Sequence, residues 1–565
     1  MLNLIPAVKE LKINDGYLST RAIFFDKSAV TPRLAKALEK LPVENGGAKL
    51  SIDFKEGDGE GYELKILCDS IEIIADSEAG VFYAIQTLRQ IFDAKEIPCL
   101  YIKDYPDFKY RGFYQDISRG KIATVATLKS IIDKMASYKM NAFQVYVEHV
   151  YEFEECRELH AMTSSITGEE LRELDAYCRD NFIDFQPSLS TFGHMFEVLN
   201  VEKLRHLRVL RGYENNVSRW HDRHSHHTID PENPESIELI DSLIGQFAPN
   251  FTSDYFNVCC DETFDLKSSF PEEKEKALYI EFVSKILSLV KKRNKKPMMW
   301  ADILVEHPEA IDALPEDTLF LNWCYVPDPT EDKIAVFSKS GRTQIVCPST
   351  NSWLRFCEIV EREESNIITL AEYGYKYGAL GMLTTNWGDW GHLASLESSI
   401  YGLVLGAAKS WAIDTKATDK FHEQVNERFY HNPRALEYLT EIGRLQNHIN
   451  HQNILRAAEH HKHGIEYETP ISKETIELAQ SVYCELYPKI ASEDWTHEDF
   501  KDEQLLSLEG MTVLAELGGK LAGLSFERVT DTEKFLKKFA EKWLKKNKPS
   551  ELWRIEEVLR YMESI

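Results

Sequence analysis

The stretch FNVCCDETFDL, Phe256 to Leu266, sets Asp261 and Glu262 side by side at the end of a short apolar run. Two adjacent carboxylates repel when both ionise, and removal from water raises that cost, so such a pair at a strand end works against stability. What it offers is chemistry. One carboxyl can hand over and retrieve a proton, and the other can stabilise developing positive charge or hold a substrate group. In an arbitrary loop the same dipeptide would carry little meaning, so its weight depends on its neighbours.

Other short runs also end in polar or aromatic residues. YRGFYQDIS leads to Asp116, Ser118 and Arg119, NAFQVYVEH to Glu148 and His149, and IDFQPSLS to His194. PMMWADIL carries Trp300 and Asp302, TLFLNWCY carries Trp323 and Tyr325, Trp353 follows TQIVCPST, and GALGMLTTNWGD ends in Trp387 and Asp389. A pyranose has an apolar C–H face for stacking and a fringe of hydroxyls for bidentate contacts, so tryptophans mixed with carboxylates and an arginine suit a sugar. Cleaving a glycosidic bond needs an acid for the leaving oxygen and a second group to stabilise an oxocarbenium-like transition state. Each residue also has a plainer use. Arg119 can form an ion pair with Asp116, the tryptophans can be core, and His149 and His194 can bond neighbouring carboxylates. The histidines of RWHDRHSHHTID (His221, His224, His226 and His227) match no metal-ligand spacing, and neither metal nor cofactor is expected.

Elements must bring these residues to one rim. From Tyr110 to about Ala412, eight apolar runs alternate with amphipathic helical stretches. TVATLKSIIDKMASYKM places Leu128, Ile131, Ile132, Met135 and Tyr138 on one face, and Thr167 and Glu170 of TGEELRELDAYC can form a capping box. Eight such units predict a (β/α)8 TIM barrel of the α/β class, whose active residues lie at the C-terminal ends of the strands. A doubly wound sheet is the second choice, and it lacks its glycine-rich turn after the first strand. The FNVCC run is then the fourth strand, through Cys260, with Cys259 and Cys260 filling space behind the acid pair. Upstream, KLSIDF and YELKILCDSIEIIAD alternate like half-buried strands, EAGVFYAIQTLRQIFDA has helical spacing, and residues 96–110 read as an extended connection. Downstream of Asp414 only helical patterns remain, and the lysine-rich one at 534–546 reads as a solvated face. The expected units are an N-terminal α/β domain (1–105), the barrel (106–412) and a helical C-terminal domain (413–565), for which dimerisation or rim-building are open uses.

Composition narrows the partners. The 565 residues include 92 acidic and 66 basic ones, a formal net charge of −26, which disfavours nucleic acid and anionic membrane surfaces. No apolar run is long enough to span a bilayer. The 10 cysteines form no CxxC pair, and with no signal-peptide pattern read at the N-terminus, a reducing cytoplasm is the expected compartment.

RGFYQDISRGKIATVATLKSIIDKMASYKMN resembles the opening of the catalytic barrel in glycoside hydrolase family 20, the β-N-acetylhexosaminidases. FGHM is similar to that family's PGH element, NVCCDE stands at its HxGGDE motif, PMMWADIL resembles its fifth strand and TTNWGDWGH its eighth. The region ending in GVFYAIQTLRQIF resembles the small domain before the barrel. The resemblance implies an exo-acting β-N-acetylhexosaminidase that removes terminal N-acetylglucosamine or N-acetylgalactosamine from glycans. In it Glu262 would be the general acid and later base, and Asp261 would orient the substrate's 2-acetamido group, whose carbonyl attacks the anomeric carbon. Arg119 would hold hydroxyls, Trp387 and Asp389 would bind the outer hydroxyls, Trp300 and Trp323 would wall the pocket, and Tyr325 would bond the acetamido carbonyl. Glu148, His194 and Trp353 complete the expected substrate contacts. The chain departs from the family at Cys259 and Cys260 (two glycines), Asn257 (histidine) and Phe192 (proline), and EHVYEF lacks the paired aspartates. A non-catalytic carbohydrate-binding barrel and a two-carboxylate β-glycosidase are the alternatives.

Overall fold

The computed structural model describes residues 2–57, 59–211, 217–225 and 227–565, without the side chains of 161–163 and 225. Six strands form the first sheet: β1 (Glu10–Tyr17), β2 (Ile23–Phe24), β3 (Ala48–Phe54), β4 (Tyr62–Ile66), β5 (Ser70–Ala75) and β6 (Pro98–Asp104), in the order β1-β6-β4-β5-β3-β2. β4 and β5 alternate strictly between buried and half-buried positions, and the helix Glu78–Phe92 lies against both. The expected connection at 96–110 is largely β6, an inner strand paired with β1 and β4. Its proline stands at the first position, where a missing N–H costs the ladder least.

Eight parallel strands then close into a barrel: β7 (Tyr110–Asp116), β8 (Ala142–Val147), β9 (Asp184–Leu189), β10 (Tyr255–Asn257), β11 (Lys296–Trp300), β12 (Leu319–Trp323), β13 (Gln344–Cys347) and β14 (Gly381–Asn386). Each falls in one of the eight apolar runs. The helix Val125–Ser137 buries Leu128, Ile131, Ile132 and Met135, and Thr167 with Glu170 does form a capping box. Inside the barrel, Tyr114, Tyr146, Cys259, Met298, Trp300, Leu321, Ile345 and Trp387 pack as a core of their own. A second, continuous core joins the barrel's outer face to its helices and to the flanking regions. The chain is thus a TIM barrel with a small α/β unit before it and helices after it.

The C-terminal part is helical, with Lys473–Ser492, Glu498–Leu521, Thr532–Lys546 and Leu552–Ser564 its longest members. The lysine-rich helix buries Phe535, Leu536, Phe539 and Trp543, while Lys538, Lys542 and Lys545 pair with Glu509, Asp502 and Asp499 of the neighbouring helix. Its charged face is solvated and internally neutralised. All ten cysteines are free thiols. Among the described residues no helix is long and apolar enough to cross a membrane.

Candidate active site

β10 ends at Asn257, three residues before the expected Cys260. The chain leaves the strand because Cys259 and Cys260 both take left-handed backbone conformations, φ 59° and 67°, and Glu262 follows at 49°. A side chain in that region costs about 1 kcal/mol or more per residue, so the surroundings must hold it. They do so through the backbone: Asn257 Oδ1 accepts the Cys259 N–H at 2.9 Å, the Trp300 N–H bonds the Cys259 carbonyl at 3.0 Å, and the Tyr279 hydroxyl bonds the Cys260 carbonyl at 2.9 Å. Thr191 secures the Val258 carbonyl at 2.7 Å. The two thiols point to opposite sides, Cys259 into the barrel core and Cys260 into the outer one. Burial pushes both thiols above the usual range, which leaves them as packing groups rather than nucleophiles.

The turn carries Asp261 and Glu262 to His194. His194 Nε2 lies 3.4 Å from Asp261 Oδ2 and 3.3 Å from Glu262 Oε2. The FGHM turn can approach this closely because residue 193 is glycine: a Cβ there would sit 2.3 Å from the Asp261 carbonyl oxygen. On the other side of the imidazole, Arg119 Nη2 stands 3.1 Å from Nδ1. A guanidinium can only donate, so in the neutral ring Nδ1 holds the lone pair and the proton sits on Nε2, facing the carboxylates. Burial and Arg119 oppose a charge on this ring, and Asp261 and Glu262 more than offset them, raising its pKa. His227 fixes the same ring by accepting the His194 backbone N–H at 2.8 Å and stacking on it at 4.6 Å.

Arg119 is the hub. Its side chain reaches Glu148 Oε1 at 2.9 Å and the carboxylate of Asp389, and lies 5.1 Å from the ring centres of Tyr146 and Trp387. The expected side-chain pair with Asp116 does not form. Asp116 instead accepts the backbone N–H groups of Ser118 and Arg119 through Oδ1 and of Gly388 through Oδ2, clasping the end of β7 to the loop that bears Asp389. Glu148, expected at the substrate, is buried behind Arg119, where it accepts from Arg119 and from the Tyr146 hydroxyl at 3.0 Å. In this arrangement it touches the guanidinium and the Tyr146 hydroxyl.

Aromatic rings complete the site. Trp300 is 0% exposed and packs edge-on to Tyr114 at 5.2 Å, so it forms the floor rather than a wall. Trp323 stacks on Tyr325 at 4.9 Å, Tyr325 meets Trp353 at 5.4 Å, and the Trp387 indole N–H donates to the Tyr325 hydroxyl at 2.8 Å. His149 is buried 3.9 Å from Glu148 Oε2.

Three further neighbours, Tyr146, His224 and His227, were not expected at the site, while Asp302 was read at its strand end without a role. Asp302 Oδ2 accepts the Glu262 backbone N–H at 3.1 Å; burial and the adjacent Asp261 push its carboxyl well above the usual carboxylate range. Tyr146 contacts Arg119, and its place on β8 was its only signal. His224 and His227 come from the histidine cluster set aside as metal ligands of no recognisable spacing. His224 lies over Trp390 with its Nε2 4.0 Å from Asp389, and burial lowers its pKa to about 4. His226 lies outside the described residues. The one group placed to hold a cation among the described residues is His194, Asp261 and Glu262, the acid pair itself.

For Glu262, burial would raise the carboxyl's pKa, but the His194 contact and the charges of His194, Arg119 and His224 prevail and hold it below the usual range. The site therefore joins an exposed-edge carboxylate, a second carboxylate, and an arginine clamp through one imidazole ring.

The model of the Glycosyl hydrolase family 20 catalytic domain matches residues 108–435, and that of the family's domain 2 matches residues 1–105. A Beta-hexosaminidase of Porphyromonas gingivalis is 26% identical over 250 residues, 38% of this chain and 30% of the relative. One of Vibrio furnissii is 22% identical over 378 residues, 57% of this chain and 58% of the relative. The matched stretches thus span less than two thirds of these relatives. Among solved structures, Flavobacterium johnsoniae chitobiase is 18% identical with a TM-score of 0.62, covering 95% of this chain and 96% of that one, and a Bacteroides fragilis beta-N-acetylhexosaminidase is 19% identical with a TM-score of 0.61, covering 75% and 94%. At such identities the structural likeness speaks for the fold. Because the catalytic-domain model alone spans more than half of its length, this chain belongs to glycosyl hydrolase family 20.

Proposed function

We propose that the protein is an exo-acting β-N-acetylhexosaminidase that hydrolyses terminal β-linked N-acetylglucosamine or N-acetylgalactosamine by a retaining, substrate-assisted route. The observation that carries this reading is the imidazole of His194, which touches the acid pair with one nitrogen and the Arg119 clamp with the other. Proton transfer and hydroxyl binding then lie one ring apart, the spacing a single terminal sugar needs. Glu262 protonates the leaving oxygen and later activates water, while Asp261 steadies the acetamido group whose carbonyl oxygen closes on the anomeric carbon. Arg119 and Asp389 bind the outer hydroxyls, and Trp323, Trp353 and Trp387 face the sugar. Tyr325, whose hydroxyl accepts from Trp387, would donate its own proton to the acetamido carbonyl. Family membership and the hexosaminidase relatives support the same class of glycan substrate. A cytoplasmic location belongs to this reading and is supported by the ten unpaired cysteines.

Replacing the acid tests the assignment. Glu262→Gln should reduce hydrolysis of an aryl β-N-acetylglucosaminide by a factor of ~10²–10⁴, and a bicyclic thiazoline that mimics the oxazoline intermediate should inhibit the wild-type protein. Retention of most activity by Glu262→Gln would move the acid elsewhere.

A further inference from the structure

The segment between the last two helices, residues 547–551, together with the end of the helix before it, runs along the residues that follow Arg119. The Glu551 N–H bonds the Gly120 carbonyl at 3.2 Å and the Ser550 hydroxyl bonds it at 2.6 Å; the Lys548 N–H bonds the Ile122 carbonyl at 2.8 Å, and the Thr124 N–H bonds the Lys546 carbonyl at 3.0 Å. Ala123 and Asn547 form an antiparallel bridge. The C-terminal domain therefore adds a strand-like rail beneath the Arg119 arm.

A side-chain network leaves the same segment. Glu551 is 2% exposed, and its Oε1 accepts from Arg223 Nη2 at 2.6 Å. Arg223, equally buried, also donates to Glu197 Oε1 at 2.6 Å, and Arg219 adds a second cation to Glu197. Glu197 follows His194 by three residues. Arg219 and Arg223 lie on the short helix Arg219–Ser225, which carries His224 against Trp390 and Asp389. In the same region Ile555, on the last helix, abuts the loop bearing Asp389: a Cβ at Gly391 would lie 2.6 Å from Ile555 Cδ1. A buried ion network with one carboxylate from the C-terminal domain is thus attached to three parts of the site, the Arg119 arm, the His194 turn and the His224 helix. Removing one partner of such a network leaves an uncompensated buried charge and forces a rearrangement.

We propose that Glu551 is a positioning residue for sugar binding: it locks Arg223 and Glu197 so that Arg119 and Asp389 meet the outer hydroxyls of the terminal sugar. This inference rests on the proposed function. Arg119 and Asp389 touch hydroxyls whose bonding does not change in the reaction, so disturbing them weakens ground state and transition state alike and appears in KM.

The test is steady-state kinetics on 4-nitrophenyl β-N-acetylglucosaminide with full-length Glu551→Ala and Glu551→Gln, each also combined with Arg119→Lys. Glu551→Ala should raise KM about tenfold while kcat changes by less than about threefold. Glu551→Gln, which keeps the shape and one acceptor, should recover part of the loss. The effects of Glu551→Ala and Arg119→Lys on KM should combine to less than their product, the sign of a shared network. If the Ala variant does not fold, the Gln variant decides by the same split and the same cycle. A KM within twofold of wild type, a fall in kcat at constant KM, or strictly multiplicative effects would overturn the inference. Glu262→Gln run alongside keeps the two readings apart, since activity surviving in that variant refutes the proposed acid and leaves the positioning result to stand or fall on its own KM.

Discussion

Asp261 and Glu262 are presented by a turn that two cysteines make in a conformation better suited to glycine. Their tolerance follows from size and anchoring: each is small, each faces a different core, and the backbone around them is bonded at Val258, Cys259 and Cys260. Cys259→Gly should relieve about 1 kcal/mol of backbone cost and forfeit a similar amount of packing, so its melting temperature should stay close to wild type and hydrolysis should persist. Cys259→Val should fare much worse, because a β-branched residue at positive φ is a true outlier in a filled barrel core. Calorimetry and an aryl-glycoside assay on the two variants would check both outcomes. Equal tolerance of valine would show that the turn is not held as described.

The protonation of Glu262 also belongs to single residues. Burial alone would raise its pKa, and the His194 contact and nearby cations lower it. An acid must be protonated to donate, so activity that depends on it falls as pH rises through its pKa, and a lowered pKa places that fall at lower pH. Removing the His194 contact lifts the pKa and moves the fall upward. The alkaline limb of kcat/KM should therefore shift to higher pH in His194→Ala, beneath a reduced maximum. A shift to lower pH would contradict the assigned contact.

At the scale of elements, the barrel's strand ends determine which side chains meet, and the loops decide how closely. Glu358, two residues before the helix Val360–Lys376, and Glu363, on that helix, are both fully buried and carry strongly raised pKa values through loss of hydration, Glu358 to about 8. Glu358 accepts the Tyr401 N–H at 3.2 Å, tying this region to the helix Tyr401–Trp411. A carboxyl whose folded pKa is raised binds more protons folded than unfolded, so its stabilisation is complete below about 4.5 and lost as pH climbs toward about 8. Thermal stability should decline between those values, and Glu358→Gln should flatten the decline. An unchanged pH profile in that variant would remove the pair from the account.

The eight strands were legible because each apolar run had a turn and a helical pattern after it, and because their order matches one architecture. β1 was not, since its residues are exposed throughout and show no alternation. β6 was hidden by Pro98 at its start and Pro106 just beyond its end. The acid pair, Arg119, Asp389 and the tryptophans were legible as polar or aromatic strand ends. Glu148 was placed correctly on the rim, but its burial behind Arg119 depends on side-chain direction, which spacing does not encode. His224 and His227 come from a long connection whose path only the tertiary structure reveals. Their spacing matched no ligand motif and suggested no role, whereas in the fold His227 supports His194 and His224 flanks Asp389.

At the scale of the molecule, the helical C-terminal domain shares one continuous core with the barrel: Phe356, in the loop after the seventh strand, meets His451 and Phe535. A chain cut after Ala412 would expose that surface, and we expect it to lose cooperative melting rather than retain a working barrel. A truncated chain with wild-type melting and turnover would show the domain to be an accessory. The net charge of −26 adds a solubility term and fits a neutral glycan better than a polyanion.

In the proposed mechanism the substrate supplies its own nucleophile while Asp261 and Glu262 manage it. The most direct measurement compares kcat/KM for matched aryl β-N-acetylglucosaminide and aryl β-glucoside, which differ only in the acetamido group. Loss of a well-placed intramolecular nucleophile should cost about 4 kcal/mol, so the acetamido substrate should be preferred on the order of a thousandfold. Comparable rates for the two substrates would contradict the account and point to an enzyme carboxylate as the nucleophile.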